Sequence, residues 1–286
     1  MPVHEYTPPP FDVPNFIILG AAKAGTTALY HYLQQHPEIY MSPRKETNFF
    51  ALKDESLEFQ GPGDSDYINR FSITELEDYE EQFDGRTNEK AIGEASPLYL
   101  YSSKAPYCIH EYVPQAKLIV ILRNPVDRAY SAFLHLVRDG RETVTDFHEA
   151  LRQEEARIHA GWEHIWHYKH MGLYYEQLRR YYDVFDRDQI KVFLYRDFKI
   201  HAVGVLHELF RFLGVDDTFM PDTSVRHNET ISMPSHQKPR VPLEVRLELR
   251  DVFREDILKL QNLIERDLSH WLKVTSSEAE LKSFVV

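Results

Sequence analysis

Thiols are almost missing from this chain. Cys108 is the one cysteine in 286 residues, which excludes an internal disulfide and any cysteine-ligated zinc site. A lone thiol of this kind reads as a small buried or half-buried apolar side chain. No apolar run reaches the roughly 18 residues a membrane-spanning helix needs, and the N-terminus lacks a charged, apolar and small-residue leader pattern. A soluble, cytoplasmic protein is therefore expected, with residues 1–13 as a proline-rich lead-in. Basic tracts are absent and the net charge is −12, which disfavours nucleic acid or another polyanion as partner. Histidines number 15, but no H-E-x-x-H or comparable ligand spacing joins them. Most are expected at surface or helix-packing positions, and no metal site is expected.

What the chain does hold is apolar surface and one turn suited to an anion. With 43% hydrophobic and 13% aromatic residues, it can bury the core of one large α/β domain, expected over residues 14–272 with a polar tail at 273–286. In residues 14–29, PNFIILGAAKAGTTAL, an apolar run from Phe16 to Leu19 reaches Gly20. A short turn follows, and Gly25-Thr26-Thr27 opens a helix carrying Leu29, Tyr30 and Leu33. Strand, tight loop and helix N-terminus aim backbone N–H groups and the positive end of the helix dipole at an anion. A Walker A loop places its lysine directly after the second glycine. Here Thr26 follows Gly25, and the lysine stands earlier, at Lys23. That displacement argues against ordinary nucleoside-triphosphate chemistry, in which the lysine meets the β- and γ-phosphates.

The first helix is predicted from about Gly25 to Gln35, ended by His36-Pro37, before a short strand at Ile39-Tyr40-Met41. Residues 42–50, SPRKETNFF, then form a charged loop held down by Phe49 and Phe50. Lys45 and Glu46 read equally as solvated turn charges or as functional groups beside the phosphate loop. Residues 54–88 form an insertion of loop plus helix, with a helical period at Ile73, Leu76, Tyr79 and Phe83. A strand over 91–95 breaks at Ser96-Pro97 and leads into a helix reaching about Tyr112. The continuous run Lys117 to Leu122 is the clearest strand and predicts a parallel one buried on both faces.

That strand delivers Arg123-Asn124-Pro125 at its carboxyl end, where open α/β sheets bind ligands, and Pro125 starts a helix. Arg123 and Ser131 can serve one phosphate, or Arg123 can pair with Asp127. Residues 146–183 are helical and aromatic-rich, with Trp162, Trp166, Tyr168, Tyr174 and Tyr175. Core packing is their default role, an apolar acceptor pocket the alternative. A strand over 190–195 precedes an amphipathic helix ending at Gly214. Residues 226–240 read as a long loop of the kind that forms a lid, and a helix is expected from Pro242 to about Leu268. Repeated βα units predict a parallel sheet.

Three motifs coincide: Lys23-x-Gly25-Thr26-Thr27, Lys45-Glu46-x-x-Phe49-Phe50, and Arg123-Asn124-Pro125-x-Asp127-Arg128-x-x-Ser131. In this order and spacing they resemble the sulfotransferases that use 3′-phosphoadenosine 5′-phosphosulfate (PAPS), especially bacterial members and the heparan-sulfate branch. The resemblance implies a P-loop-like three-layer α/β fold, with a central parallel sheet flanked by helices plus helical insertions. It implies that Lys23, Ala24, Gly25, Thr26 and Thr27 hold the 5′-phosphosulfate and that Arg123 and Ser131 hold the 3′-phosphate. Tyr195 is implied beside the adenine. Glu46 matches the general base, with Lys45, Ser96 and His135 on the acceptor side; His135 and His167 stand as alternative bases. Adenosine 3′,5′-bisphosphate (PAP) is the implied product, and no metal is required.

The acceptor implied is a small hydroxylated metabolite, lipid, glycoside or carrier-bound acyl chain. Glycan-modifying members often carry a lysine where this chain has Ala95, and that departure speaks against a sulfated polysaccharide. A P-loop kinase with a degenerate loop and a non-catalytic nucleotide-binding protein are the competing readings.

Overall fold

Five apolar runs become strands: β1 (Phe16–Gly20), β2 (Ile39–Met41), β3 (Ala91–Ala95), β4 (Lys117–Leu122) and β5 (Ile190–Leu194). The computed structural model describes residues 14–225 and 240–273, and among them these strands form one sheet in the order β2-β3-β1-β4-β5. Every pairing is parallel. Helices flank the sheet, as expected, and β1 is buried at all five positions, which is what a central parallel strand covered on both faces requires. No helix among the described residues is long and apolar enough to cross a membrane.

Strand order decides where a ligand goes. From β1 the chain travels outward to β2 and returns through β3, then crosses to β4 and β5 on the other side. Such a switch opens a crevice at the carboxyl ends of the strands. Residues 20–25 leave the end of β1, 42–48 that of β2, 96–97 that of β3, Arg123 that of β4 and Tyr195 that of β5. These segments therefore lie at one end of the sheet.

Packing at the middle of the sheet is tight. Gly93 pairs in register with Phe16, and a Cβ at Gly93 would lie 2.4 Å from Phe16 Cζ. Phe16 is fully buried and has no solvent to swing into. Gly93→Ala is expected to destabilise the fold by about 1–3 kcal/mol through overpacking. A drop in melting temperature checks this; an unchanged midpoint contradicts it.

Several elements are shorter than periodicity predicts, and each break has a tether. The helix expected to run to Tyr112 divides into Leu98–Tyr101 and Ala105–Tyr112, because Ser102 Oγ accepts the amides of Lys104 and Ala105 in place of helical carbonyls. The aromatic segment 146–183 divides into helices Phe147–Arg152, Glu154–His159 and Tyr174–Tyr182 joined by two 3₁₀ turns. Buried Glu154 accepts the amides of Lys169 and His170 and so bends the chain there. Trp166, Tyr168 and Tyr174 are core residues in this segment. The insertion 54–88 contains only short pieces, the longest being Leu76–Glu80. Tyr195 opens the helix Tyr195–Ile200 instead of ending β5, and the last long helix spans Leu243–Leu263. Cys108 is buried, as expected. The lead-in at 1–13, the tail from 274 onward and the expected lid, apart from Arg240, lie outside the described residues.

Candidate active site

The turn after β1 is shaped by one glycine. Gly25 precedes the helix Thr26–Leu33 with φ 99°, a conformation that a side chain rarely adopts. A Cβ there would also stand 3.1 Å from two ring carbons of Tyr195, so glycine lets the β5 end close against the turn. The amides of Gly25 and Thr26 meet no acceptor among the described residues, the arrangement in which a helix N-terminus receives an anion. Ala24 is placed differently from expectation. Its amide donates to Ala21 O at 3.1 Å and its methyl is fully buried, so it holds the turn together instead of facing a ligand.

Arg123 ties three strand ends together. Its Nη1 donates to Lys23 O at 2.9 Å, its guanidinium lies 5.0 Å from the centre of the Tyr195 ring, and its own carbonyl accepts from Tyr174 Oη. The alternative pairing with Asp127 is not made, because Asp127 takes Arg246 at 2.8 Å. No carboxylate pairs with Arg123 among the described residues, so its remaining donors suit an external anion. Ser131 is half-buried on the helix Pro125–Arg138, one turn before His135.

The motif after β2 is strained and firmly held. Glu46 and Asn48 have φ of 66° and 56°, a left-handed conformation costing of order 1–3 kcal/mol per non-glycine residue. Glu46 N donates to Ala95 O at 2.9 Å, and Thr47 O accepts Ile73 N at 2.8 Å. Phe49 and Phe50 are fully buried, and Phe49 stacks on Tyr79 with centroids 4.4 Å apart. Lys45 forms an ion pair with Glu46.

Lys23, Glu46 and His135 lie near enough to influence one another's charge. Burial pulls the Lys23 ammonium down to about 8, with Glu46 opposing the shift and Arg138 and Arg123 adding to it. For Glu46, burial raises the pKa, but the Lys45 ammonium and its hydrogen bond, with Lys23 and His135, hold the carboxyl below its ordinary range. Its side chain still keeps 53% of its surface in contact with solvent, so the carboxylate is within reach of an incoming group. Burial, reinforced by Lys23, pushes His135 down to about 4. The neutral ring accepts from Arg138 Nη2 at 2.7 Å through Nδ1, which places its own proton on Nε2.

Two expected residues fall elsewhere. Ser96 is fully buried; its hydroxyl donates to Glu94 and accepts the Asn48 amide, leaving no direction toward an acceptor. His167 is buried beside Tyr101 and His164, and its electrostatic neighbours are Glu154 and His170, not Lys23 or Glu46. Arg138 and Asp139 face Lys23 and His135 and were not singled out by sequence; their three- and four-residue spacing from His135 was the available signal. The resulting cleft sets a cation inside an anion cradle opposite an ionised carboxylate. That combination suits movement of an anionic group from a phosphate to a nucleophile that loses a proton.

Comparison with known proteins fits this geometry. A family model described as "Sulfotransferase family" matches residues 14–219. The crystal structure of a sulfotransferase from Alicyclobacillus acidocaldarius is 43% identical and aligns at a TM-score of 0.82, covering 91% of this chain and 99% of that one. Mouse sulfotransferase SULT7A1 complexed with PAP shares the fold at 15% identity, with a TM-score of 0.51 over 87% of this chain and 85% of that one. A curated relative, the membrane-associated sulfotransferase kil1 of Dictyostelium discoideum, is 24% identical over 89% of this chain. This chain spans 66% of that relative's own length. The sheet is thus the P-loop-like α/β arrangement of these neighbours.

Proposed function

The chain belongs to the sulfotransferase family, and on that premise we propose that it transfers a sulfuryl group from PAPS to the hydroxyl of a small-molecule, lipid, glycoside or carrier-bound acyl acceptor. The observation that carries this reading is the convergence of Lys23, Arg123 and Glu46 from three different strand ends on one cleft. Lys23, Gly25, Thr26 and Thr27 hold the 5′-phosphosulfate, Arg123 and Ser131 the 3′-phosphate, and Tyr195 packs beside the adenine. Lys45 and His135 face the acceptor.

Glu46 takes the acceptor's proton as the acceptor oxygen bonds to sulfur and the bond from sulfur to the phosphate oxygen breaks. The Lys23 ammonium hydrogen-bonds that departing oxygen as charge builds on it, a fixed cation at the point where the transition state needs it. The amides of Gly25 and Thr26, without acceptors among the described residues, and Arg123, without a carboxylate partner among them, suit a ligand with phosphates at both ends of a nucleoside.

Calorimetric titration tests the donor assignment. PAP is expected to bind without magnesium, and Arg123→Met is expected to weaken it about tenfold or more, in line with loss of a charge-assisted contact. Adenosine 5′-phosphate, which lacks the 3′-phosphate, is expected to change little. Magnesium-dependent ATP binding with no affinity for PAP overturns the reading in favour of a kinase.

A further inference from the structure

Behind the Lys45–Glu46 turn lies a carboxylate that the reaction scheme does not use. Glu94, near the end of β3, is fully buried, with no accessible surface. Four hydroxyls converge on it. Oε2 accepts from Ser96 Oγ at 2.7 Å and Thr47 Oγ1 at 3.0 Å; Oε1 accepts from Tyr99 Oη at 2.6 Å and Tyr79 Oη at 3.0 Å. Glu94 forms no ion pair among the described residues, so these hydroxyls are its compensation for burial.

The donors have a direction. Ser96 and Tyr99 give their protons to Glu94 and so turn lone pairs outward. Ser96 Oγ then accepts the Asn48 amide at 3.0 Å, and Tyr99 Oη the Phe50 amide at 3.4 Å. Thr47, bonded to Glu94 directly, is the chain neighbour of Glu46. The carboxylate thus fixes, through one layer of hydroxyls, the backbone of the two left-handed residues Glu46 and Asn48. An amide in its place would put an NH₂ donor against hydroxyls that are already donating, and would reverse half of the array.

We propose that Glu94 is a positioning residue that aims Glu46 at the acceptor through Thr47 and Ser96. The proposal rests on the reading of Glu46 as base, and its test is independent of that reading. Glu46 is faced by Lys45 on its own turn, by Lys23 from the turn after β1 and by His135 from the helix Pro125–Arg138. If the turn relaxes, Glu46 leaves these cations and its proton affinity rises.

The measurement is a ¹³C NMR titration of glutamate side-chain carboxyls, with the Glu46 signal assigned by its loss in Glu46→Gln. Glu94→Gln and, as a milder variant, Thr47→Val are each expected to raise the proton affinity of Glu46 from below the ordinary carboxyl range back toward that of a free glutamate. Binding of PAP by the same variants is expected to stay within about twofold, since sites without shared partners are close to independent. An unmoved Glu46 titration in folded Thr47→Val overturns the proposal, as does a parallel loss of PAP affinity, which marks general unfolding of the site. Sulfate transfer surviving in Glu46→Gln instead overturns the assignment of the base and leaves the titration result standing.

Discussion

Glu46→Gln is expected to lower sulfate transfer from labelled PAPS by about 10²–10⁴-fold, the usual contribution of a positioned general base. Magnesium-free PAP binding is expected to stay near the parent value, because the proposed function assigns Glu46 to the acceptor and not to the nucleotide. The substitution keeps size and removes both the ability to take a proton and the charge that pairs with Lys45. Its effect should therefore fall on kcat and kcat/KM together, as for an interaction made in the transition state. The carboxyl is held below its ordinary range by Lys45 and Lys23 against the effect of burial. Glu46 is then ionised throughout the neutral range, and the acid limb of the parent pH profile should lie in the low carboxylate region. Transfer at the parent rate in Glu46→Gln removes Glu46 from the mechanism and makes His135 the next residue to test.

Lys23→Met carries the second large effect, about 10²–10³-fold in kcat for loss of one preorganised donor at a developing negative charge. Methionine keeps the length of the side chain, so a loss of rate reports on charge more than on packing. The pH profile supplies an independent reading. Lys23 must be protonated to donate, and burial pulls its pKa down to about 8. For the free enzyme, reported by kcat/KM for PAPS, activity should be full below that value and fall as pH rises through it. In Lys23→Met this alkaline limb should vanish from the residual activity. An alkaline limb retained unchanged in the variant assigns it to another group.

Much of the site was legible because it sits where chemistry and chain punctuation coincide. The apolar runs ending in Gly20 and Leu122 announce buried parallel strands, and the residues immediately after them, Lys23 and Arg123, do meet: Arg123 donates to the Lys23 carbonyl. Side-chain direction after β3 was not legible. Ala95-Ser96 lies in the right place for an acceptor contact, but Ser96 turns inward to Glu94, and residue order alone does not say which way a hydroxyl points at a strand end. The direction of the Ala24 amide, which closes the turn, was hidden for a related reason. The broken helices of 146–183 depend on Glu154 reaching amides 15 residues away in sequence, a tether invisible to local periodicity. Glu94 stood in view as part of Glu94-Ala95-Ser96-Pro97, but its role depends on Tyr79, Tyr99 and Thr47, which come from three separate segments.

The strand order has an evolutionary consequence. Arg123 and Tyr195 arrive from β4 and β5 on one flank of β1, and Lys45 and Glu46 arrive from β2 on the other, with Glu94 behind them on β3. On the proposed reading, nucleotide contacts come mainly from the β4–β5 flank and the base from the β2 flank, with Lys23 at the seam and His135 reaching across from the helix after β4. The irregular segment 54–88 is inserted between β2 and β3 and is tied by Pro62 and Asp64 to Arg141 and Glu163 of the segment after β4. If the proposed roles hold, substitutions and insertions there can change the acceptor while the turn after β1 and the β4 and β5 ends keep their geometry, so selection can explore new acceptors without rebuilding donor binding.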